Sequence, residues 1–138
     1  MKRFKRMADD IAQALVREGF TVHRYDAEKT DSVYLKLDWG ACNSIRISDH
    51  PGFQHAKHRY NIGPWISVPM KVEDMLLMFF WPVDEVSEMV ERVKADRTAR
   101  IDWVGESGYA RAVERRKREA RSAKSGFWAR ARKVKGGR

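Results

Sequence analysis

Residues 32–50 read SVYLKLDWGACNSIRISDH, and their alternation decides the fold. Val33, Leu35 and Leu37 alternate with Tyr34, Lys36 and Asp38, and Ile45 and Ile47 alternate with Ser44, Arg46 and Ser48. That is the two-residue period of a half-buried strand on both arms. Asp38-Trp39-Gly40-Ala41 between them offers a turn-starting carboxylate and a glycine free to take positive φ, so the arms should pair as an antiparallel hairpin. In that register Ile45 and Ile47 face the core and Arg46 faces away. The second arm runs into Ser48-Asp49-His50-Pro51-Gly52. Such a strand exit either presents working groups or uses Ser48 and Asp49 to hydrogen-bond the turn backbone.

Outward from the hairpin, residues 3–18 carry Phe4, Met7, Ala8, Ile11, Ala14 and Leu15 at spacings of three and four, with Gly19 where a C-terminal cap belongs. This predicts a helix lying on the sheet. Residues 20–25 alternate and are β-prone, giving a first strand, with His23 on the side opposite Phe20, Val22 and Arg24. After the hairpin, Arg59 to Ile62 alternate and predict a strand over 58–62, closed by Gly63-Pro64. Residues 64–69 read as a loop carrying Trp65, and 70–74 as polar. The run MLLMFFW over 75–81 suits a fully buried strand, although one end of a buried helix has the same pattern.

Pro82 then favours the first turn of a helix over 82–97, with Val83, Val86, Met89, Val90 and Val93 on one face. Residues 100–104 read as a short strand or extended link ending at Gly105. A third helix from Glu106 or Ser107 to about Ala123 has few apolar positions, so it should project or lie loosely on the body. The tail beyond Gly126 shows little independent reason to be ordered. The reading is therefore α+β: an antiparallel sheet of four or five strands with two helices packed on one face, over residues 1–108, followed by a basic C-terminal helix and tail over 109–138.

The charge is divided just as unevenly. The chain of 138 residues has a net charge of +9. Residues 109–138 hold twelve Lys or Arg against Glu114 and Glu119, a net of +10, which leaves residues 1–108 at −1. Such asymmetry points to an arm for a polyanion, with Arg111, Arg115, Arg116, Lys117, Arg118, Arg121, Lys124, Arg130, Arg132 and Lys133 as phosphate ligands and Trp128 as a stacking residue. The segment should supply most of the affinity for nucleic acid, a nucleoprotein or an acidic protein surface, and little of the stability.

A second candidate is Asp49 with His50, His55 and His58, joined by Arg46 as possible partner contacts. Three imidazoles and a carboxylate could in principle serve a metal-dependent nuclease, but the spacing matches no established site and no supporting carboxylate cluster accompanies it. The expectation is thus no metal, no cofactor and no catalytic residue. One cysteine, Cys42, excludes an intramolecular disulfide and a cysteine-rich zinc site. No apolar run approaches the roughly 20 residues that span a bilayer, so no membrane partner is expected.

The pattern Ser32-x-Tyr34 followed by Ile45-Arg46-Ile47-Ser48-Asp49-His50 resembles a signature of small proteins of bacteriophages, prophages and other mobile elements. The resemblance implies a mobile-element setting, the cytoplasm of a bacterial host, and with it a role as inhibitor of a host defence complex, in the manner of an anti-CRISPR protein.

Overall fold

The hairpin forms in the register its alternation requires. In the computed structural model, which describes residues 3–39, 43–51, 58–73, 77–122 and 129–136, strand β2 (Val33–Lys36) pairs antiparallel with β3 (Ser44–Ile47). Val33 sits opposite Ile47 and Leu35 opposite Ile45, and all four side chains are fully buried. The turn residues Gly40, Ala41 and Cys42 lie outside the described residues.

Helix α1 (Arg3–Arg17) covers this sheet face with Phe4, Ala8, Ile11, Ala12 and Leu15. Its end is a Schellman closure: Phe20 N–H donates to Leu15 O and Gly19 N–H to Val16 O, both at 3.0 Å, with Gly19 at φ 90°. Strand β1 (His23–Asp26) follows, paired antiparallel with β2. Arg24 is its inward residue at 5% exposed. Its guanidinium bonds Asp9 of α1 and donates to Asp26 at 2.7 Å, so a satisfied ion cluster ties helix to strand where an apolar side chain would normally stand.

The sheet is larger and less regular than an antiparallel one of four or five strands. It has seven strands in the order β5-β6-β4-β3-β2-β1-β7, and β4 (Tyr60–Ile62) pairs parallel with both β3 and β6 (Leu77–Trp81). Chain length permits this. The dozen residues 48–59 between β3 and β4 can carry the chain back to the same end of the sheet, which a two-residue turn cannot do. Residues 77–81 are a strand as expected, buried from Met78 to Trp81.

Strand β5 (Met70–Glu73) falls in the stretch that reads as polar. It is an edge strand, so only Met70 and Val72 are partly covered while Lys71 and Glu73 face solvent. Two apolar residues in four are too few to stand out from a loop. The last strand, β7 (Arg132–Lys133), belongs to the tail: it pairs with β1, and Val134 N–H donates to Val22 O at 2.8 Å. The described part of the tail, residues 129–136, is thus ordered by tertiary pairing and not by its own composition.

After a 3₁₀ turn (Val83–Glu85) behind Pro82, helix α2 (Val86–Ser122) begins. Met89 and Val93 join α1 and one face of the sheet in a common core with Val33, Ile45, Tyr60 and Trp81. A smaller cluster of Ile66, Met78 and Phe80 lies apart from it. The strand or link expected at 100–104 is helical instead. Ile101 and Val104 are only half-buried and Trp103 is exposed, so no sheet edge is there to recruit their β propensity. The break comes at Gly105, whose φ of 80° and ψ of 161° are not helical. No described helix is long and apolar enough to cross a membrane.

Candidate nucleic-acid interface

Beyond Gly105, α2 has two faces separated by helical phase. Tyr109, Ala112 and Val113 are half-buried and Arg116 is 4% exposed, spacings of three and four that mark an inward line. Arg111, Glu114, Arg115 and Arg118 are exposed on the other side. The inward line docks the helix. Tyr109 Oη donates to Asp38 Oδ2, while Thr21 N–H donates to Asp38 Oδ1 and Arg97 Nη1 stands 3.9 Å from Oδ2.

Asp38 is therefore a buried anchor for three segments. Burial raises its pKa above the usual carboxylate value, against the opposing pull of Tyr109, Thr21 and Arg97. The Tyr109 phenol is also raised, by burial first and then by donating to that carboxylate. Arg97 links further: its Nη2 donates to Glu18 O at 2.7 Å, at the end of α1, and its Cζ lies 3.8 Å from the Phe20 ring centroid. A helix expected to lie loosely is held by specific contacts.

The tail adds a second group of cations. Lys133 is in register with His23 and Arg132 with Arg24, and both cations are exposed. Arg130 Cζ lies 5.1 Å from the Tyr25 ring centroid, and Gln13 Nε2 of α1 donates to Lys135 O at 3.0 Å. His23 reports how near the two basic elements stand to one another. Its pKa is lowered to about 4, chiefly by burial and then by Lys133 of β7 and Arg116 and Lys117 of α2.

The predicted phosphate ligands thus divide. Arg111, Arg115, Arg118, Arg121, Arg130, Arg132 and Lys133 are exposed. Lys117 is half-buried and pairs with Glu114 at 3.4 Å. Arg116 has to be reassigned: at 4% exposed it belongs to the packed face of α2 and cannot meet a phosphate without undocking the helix. Lys124 and Trp128 lie outside the described residues.

Residues 46–58 divide in the same way. Ser48 is fully buried and serves the turn: its Oγ accepts from His50 N–H at 3.0 Å and shares a 2.6 Å bond with Ser32 Oγ, while its carbonyl accepts from Trp65 Nε1 at 3.0 Å. Arg46 Nη2 donates to His50 O at 2.6 Å, leaving Asp49 and His50 exposed beside a polar hollow shared with Lys5, Thr30 and Asp31. His58 is elsewhere. Its Nδ1 lies 2.6 Å from Ser44 Oγ, at the start of β3, and its ring centroid is 5.1 Å from that of Tyr34.

Since His50 follows the end of β3 and His58 meets its beginning, the two imidazoles do not converge. His55 lies outside the described residues, and among those described no three His, Cys, Asp or Glu side chains are grouped as a metal would require. Burial, with Arg46 and Lys36 nearby, lowers the His58 pKa to about 4, so the ring is neutral at neutral pH.

One aromatic feature was invisible in the sequence reading. Trp103 is 78% exposed, and Arg100 Cζ lies 5.2 Å from its ring centroid and 4.6 Å from that of Trp39. Reading 100–104 as a strand hid the three-residue spacing that puts Arg100 and Trp103 on one helix face. No family model, curated protein or solved structure matches the chain.

Proposed function

We propose that the protein is a non-enzymatic binder of nucleic acid or of a nucleoprotein, acting in the cytoplasm of a bacterial host as a mobile-element product and inhibiting a host defence complex. The observation that carries the binding reading is the division of charge on α2. Arg116 and Arg97 are used by the fold, whereas Arg111, Arg115 and Arg118 recur at four and three on the opposite face and line a depression with Ala110 and Glu114, the one carboxylate there, which pairs with Lys117. A row of cations that the interior does not use is the electrostatic footprint of a polyanion site. The mobile-element setting and the defence target rest on the pattern of Ser32-x-Tyr34 and Ile45–His50 alone.

Fluorescence anisotropy with labelled oligonucleotides across a salt series tests the binding. For the native chain, log K should fall linearly with log salt by roughly 0.7–0.9 per phosphate contact. Arg111→Gln/Arg115→Gln/Arg118→Gln should reduce that slope by about two to three units without changing the melting temperature. An unchanged slope would place the contacts elsewhere.

A further inference from the structure

We infer that the α2 surface takes single-stranded nucleic acid, with Trp103 as the stacking residue; the inference rests on the polyanion reading above and assigns its ligand class. Trp103 and Val68 are the large apolar side chains left exposed among the described residues, Trp103 the more so at 78% against 59%. An indole in that position has most of its surface available, and among the described residues its ring meets Arg100, a cation. Trp39, Arg100 and Trp103 form an alternating ring–guanidinium–ring group at 4.6 and 5.2 Å. Cation–π pairing orients an indole while leaving ring surface for another planar partner.

The remaining neighbours decide what that partner is. Asp102 and Glu106 are exposed close by in sequence, and beyond the break at Gly105 the next helical stretch carries the exposed cations Arg111, Arg115 and Arg118. An exposed ring for stacking together with exposed cations on the adjoining helical stretch is the pairing that binds unpaired strands, whose bases present a π-face at each nucleotide. A duplex keeps those faces inside its own stack and would use the arginines alone. The chemistry is common to single-stranded DNA and RNA, and the groups named here do not read the 2′-hydroxyl.

The test uses the full chain with three labelled probes: a 20-nucleotide oligo-dT, a 20-nucleotide oligo-U and a 20-base-pair DNA duplex. Trp103→Ala should weaken binding of either single strand by roughly 5- to 150-fold, the range of one base stack. Duplex affinity and the salt slopes should stay within about twofold of the native chain, and Trp103→Phe should recover most of the loss. Because the side chain is exposed, melting curves of the variants should overlay that of the native protein.

Loss on only one of the two single-stranded probes would support the stack and identify the strand chemistry. Equal affinity of Trp103→Ala and native protein for single strands, with the arginine variant still defective, would overturn this inference alone. Binding to none of the probes at low salt would overturn the polyanion reading with it and direct attention to an acidic protein surface.

Discussion

At the scale of single residues, His23 and His58 make the fold sensitive to acid. Both imidazoles have pKa values lowered to about 4 from an ordinary 6.5, mainly by burial. Between those values the unfolded chain binds protons that the folded chain refuses, so stability is complete above pH 6.5 and is lost as pH falls toward 4. Urea melts should show a loss on the order of 2 kcal/mol from each histidine, about 5 kcal/mol for the two, between pH 7 and pH 4.5. His58→Gln, which keeps a polar partner for Ser44, should flatten part of that slope; an unaltered profile would show that His58 does not titrate in this window. Neither histidine could be assigned this property from sequence. Alternation put His23 on the sheet face opposite Phe20 and Val22, but its lowered pKa depends on burial by the folded chain and on the charges of Lys133, Arg116 and Lys117 arriving from elsewhere in it.

At the scale of elements, α2 shows how a weakly amphipathic helix becomes part of a folded body. Its apolar positions beyond Gly105 are too few to bury much area. Position is fixed by one phenol on one buried carboxylate. Tyr109→Phe keeps the ring and removes the donor, leaving Asp38 with Thr21 N–H and the more distant Arg97. The substitution should cost about 1–3 kcal/mol, the penalty of an under-satisfied buried acceptor, measured by chemical denaturation. A cost below about 0.5 kcal/mol would mean that packing of Val113 and Arg116 holds the helix instead. The break at Gly105 serves the same docking. Positive φ is readily adopted by glycine, and it lets the chain leave one helix axis and begin another.

At the scale of the molecule, the charged C-terminal region and the neutral remainder share structure although they differ in composition. Tyr109 reaches Asp38, and β7 extends the sheet at β1. Truncation after Gly108 should therefore lower the melting temperature on the order of 10 °C as well as abolish salt-dependent binding, because it unsatisfies Asp38 and uncovers the β1 edge. A truncated chain that melts with the native one would show that these contacts contribute no net stability.

The sequence by itself determined what repeats over short distances. The period-two hairpin with Ile45 and Ile47 inward, α1 with its glycine closure, the burial of the run through Phe79 and Phe80, and the concentration of charge from residue 109 on are each a property of neighbouring residues; that the run is a strand and not a helix end was settled by its pairing with β4 and β5. Tertiary structure alone decided the parallel pairing of β4, which depends on a crossover, and strands β5 and β7, whose few residues become strands by meeting an existing edge. It also decided the fate of individual cations. Arg116 and Arg115 are adjacent and chemically identical, but only one of them points toward the sheet, and that difference of about 100° in helical phase separates a buried residue from a candidate phosphate ligand.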